Sequence, residues 1–358
     1  MNRIETFLIE KCPRLGLALY AFKHGGDSDY YKKALQTDPS VFQYHTLGNK
    51  NPDKNIFYIR IGDSGDGFFA EYNRLLMYLF AADKYNMIPV VLFTDKFLYR
   101  EECEVNGSSN PFQYYFLEPS GIYPEEAEES KNVVYSSYVH TLQKELMDEK
   151  TGLYGFSDKY IEILGGIDRK YIRTNPAVDS YLAENLSAIS KDDSFERIIG
   201  IHFRGTDFRA GLMGHPKYMT PERTVKKAEE LLDTGDYDGI FLATDDAGAL
   251  QLFMERFGDR IKYYKDVFRS EGDSSVAFSD DGRDLHHYRL GLEVYRDMET
   301  LSRCGALIAG LSQVSLASRI KKEGRREKYR DICILDPGII KKGPSLERYY
   351  RKAGKQVK

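Results

Sequence analysis

The spacing of apolar residues is most regular between Ile198 and Asp336. Ile198-Ile-Gly-Ile-His202 is a strand-length apolar run. After it, Thr220-Pro221-Glu222 opens a helix, with Thr220 as cap and Pro221 at the first helical position. Val225, Ala228, Leu231 and Leu232 mark one face of that helix, and Gly235 ends it. Ile240–Ala243 reads as the next strand, and Leu250, Phe253, Met254 and Phe257 recur with helical spacing before the stop at Gly258. Ile261–Tyr264 predicts a strand, Leu292, Tyr295, Met298 and Leu301 a helix, Ala306–Ala309 a buried strand, and Ser312 the cap of a helix through Ile320. This alternation predicts a parallel sheet covered on both faces, with ligands at the C-terminal ends of its strands.

The N-terminal half repeats the pattern less cleanly. Ile56–Ile61 alternates as a strand, Gly62-Asp-Ser-Gly-Asp-Gly67 forms a loop, and Leu75, Leu76, Leu79 and Phe80 define a helix over Ala70–Tyr85. Ile88–Phe93 is a second strand. A chain of 358 residues exceeds the usual size of one core. The polar stretch Ser190–Ser194 is the expected boundary, giving two α/β, Rossmann-like domains, 1–190 and 191–358, that face each other across a cleft. Leu15–Phe22 follows Glu5, Glu10 and Pro13, lacks a small-residue cleavage site and is too short to span a bilayer, so it is expected to be core or a packed helix.

Charge and cysteine content narrow the classes. Lys plus Arg total 51 against 55 Asp plus Glu, a net charge of −4, which gives no global attraction to nucleic acid or anionic membrane. Cys12, Cys103, Cys304 and Cys333 form no CxxC pair, and reduced thiols in a cytoplasmic protein are the expectation. There is no Trp among 27 Tyr and 20 Phe, so any sugar stacking falls to those residues. Phe112-Gln-Tyr-Tyr-Phe116 is either such a surface or a core strand.

The chemistry concentrates at Gly200-Ile-His202-Phe-Arg204-Gly-Thr-Asp207, where a strand gives way to a loop. An arginine there presents a planar fork of donors to a diphosphate, or else pairs with Asp207 on the surface. Asp245-Asp246 is either a metal site or a helix cap with a dipole partner. The loop 62–67 lacks the lysine of a phosphate-binding P-loop and, read as a calcium loop, closes on Arg74. No HExxH and no GxGxxG after either leading strand is present, and His286-His287 belong to a polar stretch expected to be a solvated loop or lid.

His202-Phe-Arg204-Gly-Thr-Asp207 resembles the first motif of the α1,6-fucosyltransferases and protein O-fucosyltransferases, commonly His-x-Arg-Arg-x-Asp. Phe241-Leu-Ala-Thr-Asp-Asp246 is similar to their second strand-end motif, and His215-Pro216 to a His-Pro after the first. Asp297–Ser302 through Ala309-Gly-Leu-Ser312-Gln313 resembles their third, while Gly65-Asp-Gly67 and Ile88–Val91 resemble their acceptor-side loop and strand. The resemblance implies a GT-B fold and an inverting, metal-independent transfer of fucose from GDP-fucose to a glycan or other hydroxyl acceptor, with no cofactor, nucleic acid or membrane insertion. It implies that Arg204 neutralises the leaving diphosphate. Ser312 and Gln313 add donors at a helix N-terminus, Asp245 and Asp297 accept from guanine or ribose, and His202 positions the nucleotide. Asp207, Thr244, Gly65 and Gly67 complete the donor site.

Two departures stand out. Gly205 replaces the second arginine and Phe208 a common lysine, leaving Arg209 or Arg74 to substitute. No acidic residue lies between Asp207 and Glu222, where the α1,6 branch carries a glutamate. Asp66 is therefore the first candidate base, followed by Glu71, Asp63 and His215, with ordinary turn chemistry as the other reading of Asp63 and Asp66. Transfer of another nucleotide sugar, and a nucleotide- or glycan-binding relative without transfer, remain open alternatives.

Overall fold

The structure, a computed structural model, describes residues 44–136, 157–191, 194–272, 275–279 and 282–344, together with Leu15 and Leu146. Apart from Leu15, the apolar run through Phe22 lies outside the described residues, as does Cys12.

The first sheet holds β1 (Ile56–Ile61), β2 (Ile88–Phe93) and β3 (Val133–Tyr135) in the order β2-β1-β3, all parallel. Helix α1 (Phe68–Lys84) joins β1 to β2 and buries Leu75, Leu76 and Leu79 against the sheet, the face that the spacing predicts. A short helix α2 (Pro124–Ala127) precedes β3. Two further helices, α3 (Asp158–Tyr171) and α4 (Pro176–Ile189), follow; Ser157 and Asn175 cap them by accepting from Tyr160 N and Val178 N.

The second sheet has five parallel strands in the order β6-β5-β4-β7-β8. Its core strands are β4 (Ile198–Phe203), β5 (Gly239–Thr244) and β7 (Ala306–Gly310), flanked by β6 (Ile261–Lys262) and β8 (Asp331–Leu335). Between them run α5 (Thr206–Arg209), α6 (Pro221–Leu232), α7 (Ala247–Phe257), α8 (His286–Arg303) and α9 (Gln313–Gly324). β4 and β5 are buried along their whole length, as central strands of a sheet covered on both faces must be. The order runs outward from β4 in both directions, so the chain reverses between β4 and β7, and that switch point opens a crevice at the strand ends.

Several expectations change in detail. Thr220 stands at the N-cap of α6, but its side chain makes no capping bond. Phe112, Tyr114, Tyr115 and Phe116 are buried in turns, not in a strand and not on a surface, because Asn110 Oδ1 accepts from both Phe93 N and Phe112 N and folds the segment into the core. His286 and His287 begin α8. Cys103, Cys304 and Cys333 are free thiols, with Cys103 exposed. Among the described residues no helix is long and apolar enough to cross a membrane.

Candidate active site

At the switch point lies a small open cleft, about 20 Å³ in solvent-accessible volume, lined by His202, Phe203, Arg204, Phe208, Pro216, Lys217, Met219, Gly310, Leu311, Ser312 and Pro337. Arg204 is the first residue after β4, where the strand's hydrogen-bond ladder ends and a side chain is released into the crevice. Its Nη1 bonds Asp245 Oδ2 at 2.9 Å, the first residue after β5. The same carboxylate accepts from Gly205 N at 2.9 Å and Thr206 Oγ1 at 2.6 Å. Arg204 therefore pairs with Asp245; Asp207 sits in α5, and its side chain lies outside the described ones. Asp245, expected to meet the nucleotide directly, is engaged by three donors from the loop after β4, Arg204 among them.

Asp246 resolves the carboxylate pair as a helix cap. Its Oδ1 accepts from Ala249 N at 3.0 Å at the start of α7, and its Oδ2 pairs with Arg209. Thr244 is buried at the end of β5 and accepts from Asp246 N at 3.2 Å. Among the described residues no group of three His, Cys, Asp or Glu is arranged to hold a metal ion.

On the β7 side, Ser312 caps α9 as expected. Its Oγ accepts from Ser315 N at 3.1 Å, and Ser315 Oγ accepts from Ser312 N at 3.2 Å, a reciprocal capping box. Ser315 N thus occupies an acceptor site of that hydroxyl, and of the first-turn amides those of Gln313 and Val314 keep the donor character of a helix start. Ser312 Oγ also lies 3.0 Å from His202 Nδ1. Burial, with the Arg204 guanidinium nearby, pushes His202 down to about 4 against the opposing pull of Asp245, so the imidazole is neutral at physiological pH.

Gln313 opens α9, and its side-chain Oε1 accepts from Asn73 Nδ2 at 2.8 Å; its carbonyl accepts from the same nitrogen at 3.1 Å. Asn73 belongs to α1, so the start of α9 is joined to the helix that follows the glycine loop of the first sheet. Gly65 has φ +66, a conformation that glycine alone adopts readily, and Gly67 is the N-cap of α1 with ordinary φ. Asp66 Oδ2 accepts from Arg74 Nη2 at 2.7 Å, while Arg74 Nη1 reaches Glu71, which also accepts from Ser64. The Asp66 side chain is 26% exposed and that of Glu71 0%. Burial pushes Glu71 up, opposed by Arg74 and Ser64. Asp63 accepts from Thr94 Oγ1 at 3.0 Å, a turn contact, and His215 lies edge-on to Phe208.

Of the predicted site residues, His202, Arg204 and Ser312 line the cleft. Asp297 is not among the lining residues; it is half-buried on α8, has no hydrogen-bond partner among the described residues, and is pushed up to about 7 by burial against the opposing influence of Arg296 and Arg269. Sequence reasoning missed Lys217, which directly follows His215-Pro216 and lines the cleft.

No protein-family profile matches the chain, and no curated protein matches it by sequence. Solved structures do. A NodZ alpha-1,6-fucosyltransferase soaked with GDP-fucose matches at 14% identity over 75% of this chain and 92% of its own, with a TM-score of 0.43. POFUT1 in complex with GDP matches at 11% identity, 80% of this chain and 99% of its own, TM-score 0.43. A variant of Arabidopsis thaliana FUT1 in complex with GDP matches at 11% identity, 94% and 81%, TM-score 0.43.

Proposed function

We propose that the protein is an inverting glycosyltransferase of GT-B architecture that moves fucose from GDP-fucose to a hydroxyl acceptor without a metal ion. The acceptor side is 1–190 and the nucleotide side 191–358. The observation that carries this reading is the cleft at the β4/β7 switch point, where Arg204, braced by Asp245, shares one opening with the capped start of α9 and with neutral His202. A guanidinium and helix-start amides are the donor set that a diphosphate requires, and their charge comes from side chains and dipoles.

In the reaction, the acceptor oxygen attacks the anomeric carbon as the bond from that carbon to the β-phosphate oxygen breaks, and GDP departs with the electron pair. Arg204 stabilises the charge arriving on the diphosphate. Asp66, the more exposed of the two carboxylates on Arg74, takes the acceptor's proton; Glu71 cannot touch an acceptor while fully buried and acts on Asp66 through their shared arginine. Gly65 and Gly67 shape the loop that carries the base, Gln313 and Thr244 hold the two strand-end turns, and Asp297 offers an acceptor for guanine or ribose.

Calorimetry of GDP binding with and without EDTA tests the seat, and donor hydrolysis across a panel of nucleotide sugars tests the chemistry. GDP should bind equally in both conditions, with GDP-fucose preferred in turnover. Binding that vanishes on chelation overturns the metal-free account, and turnover of a different donor replaces fucose.

A further inference from the structure

We infer that Lys217 supplies the second cation of the diphosphate seat, in place of an arginine that position 205 cannot hold. The inference rests on the donor reading above.

Three observations lead to it. A Cβ on Gly205 would stand 2.1 Å from Asp246 Oδ2 and 2.6 Å from Asp246 Cβ, well inside contact distance. Asp246 cannot retreat cheaply, because it caps α7 and pairs with Arg209. The glycine is thus enforced, and any second positive charge must come from elsewhere. Arg209 is not that source: its guanidinium is committed to Asp246 and, at 2.8 Å, to the carbonyl of Gly272, and it lies over the Tyr218 ring. Arg74 is likewise committed to Asp66 and Glu71.

Lys217 lines the cleft with Arg204 and forms no ion pair among the described residues. Its backbone is fixed while its side chain is exposed. Lys217 N donates to Gly338 O at 2.8 Å, Ile340 N to His215 O at 2.9 Å and Gly214 N to Ile340 O at 2.9 Å, clamping residues 214–217 against the segment 338–340. Arg204 is partly neutralised by Asp245, so a diphosphate with at least two negative charges would be undercompensated by Arg204 alone. A flexible ammonium at the mouth of the cleft corrects the balance as a point charge, without the geometric demands of a guanidinium.

The test is calorimetry of GDP and of guanosine with the full-length wild type, Lys217→Met, Lys217→Arg and, as a control on the exposed face of α6, Lys226→Met. Lys217→Met should bind GDP about tenfold more weakly, the scale of one charge-assisted contact. Guanosine binding should be unchanged, Lys217→Arg should recover most of the loss, and Lys226→Met should match the wild type. Raising the salt concentration should narrow the gap, since an exposed charge is screened. If Lys217→Met binds GDP as tightly as the wild type, or loses guanosine to the same extent, the inference fails while the donor reading stands. A wild type that binds no GDP overturns the donor reading, and this inference with it.

Discussion

In the proposed mechanism Arg204 works because Asp245 restrains it. Flexible arginines lose rotamer freedom when they clamp an anion, and the 2.9 Å pair to Asp245 bears part of that cost in the free protein. Lysine in its place keeps a charge but loses the planar fork. Removing one preorganised donor of this kind costs roughly 3–4 kcal/mol, about 10² to 10³ in kcat. Arg204→Lys is expected at the upper end of that range and Arg204→Ala beyond it, read from donor hydrolysis and transfer with folding checked by thermal melts. An Arg204→Ala protein with near-normal kcat would sink the mechanism whatever the fold. The Asp66 and Glu71 variants separate contact from influence. Asp66→Asn should lower kcat with little change in donor affinity, the pattern of a group used only in the transition state. Glu71→Gln, which leaves Arg74 to Asp66 alone, should be milder and should shift the pH profile of kcat; full activity of Asp66→Asn beside a dead Glu71→Gln reverses the assignment.

At the scale of elements, the loop after β4 and the N-terminus of α7 form one unit, joined by Asp245, Asp246 and Gly205. Gly205→Ala asks the backbone to move away from Asp246, which loosens either the α7 cap or the Arg209 pair. Loss of an N-cap costs about 1 kcal/mol, so a modest fall in melting temperature is expected together with weaker GDP binding, because Arg204 shares this loop. Unchanged melting and unchanged GDP affinity in Gly205→Ala would show that the contact is easily relieved. Most of these elements were legible in the sequence. The central strands β4, β5 and β7 carry long apolar runs, α9 has its cap at Ser312, and the strand ends coincide with His202, Arg204 and Asp245. Elements set by tertiary contacts were not. β3 is three residues long, β6 stops at Lys262 because Tyr264 turns inward to meet Arg296 and Phe241, and the Phe112 segment is folded by Asn110. In the site, residue types were readable but partners were not: Asp245 reads as a ligand residue until its three internal donors are seen, and nothing local to Gly205 announces Asp246.

For the whole molecule, the two sheets share one continuous hydrophobic core. Phe57 and Ile61 of β1, Phe69 and Tyr72 of α1, Leu164 of α3, Phe241 of β5, Leu307 of β7 and Ile320 of α9 belong to the same buried cluster. Helix α3 crosses α9 at two glycines; a Cβ on Gly165 would lie 3.0 Å from Gly324 N, and one on Gly324 3.0 Å from Gly165 O. Beside that crossing, Asp168 accepts from Tyr72 Oη and, at 3.2 Å, from Lys321 Nζ, linking α1, α3 and α9. Burial alone would lower Lys321, but Asp168, Tyr295 and Glu299 more than offset it, so the ammonium stays charged inside the protein. Removing one member of such a buried pair leaves an uncompensated charge, at a cost of about 3–5 kcal/mol. Asp168→Asn should therefore lower the stability of the entire described core in one cooperative step, followed by calorimetry and by near-ultraviolet circular dichroism of the tyrosines. The double variant Asp168→Leu with Lys321→Met removes both charges and should recover part of the loss, since apolar replacement of a buried pair is often near neutral. Should Asp168→Asn instead melt in two separated steps, with GDP protecting a second step whose midpoint is unchanged from the wild type, the two sheets unfold independently and the crossing of α3 and α9 is a contact between autonomous domains.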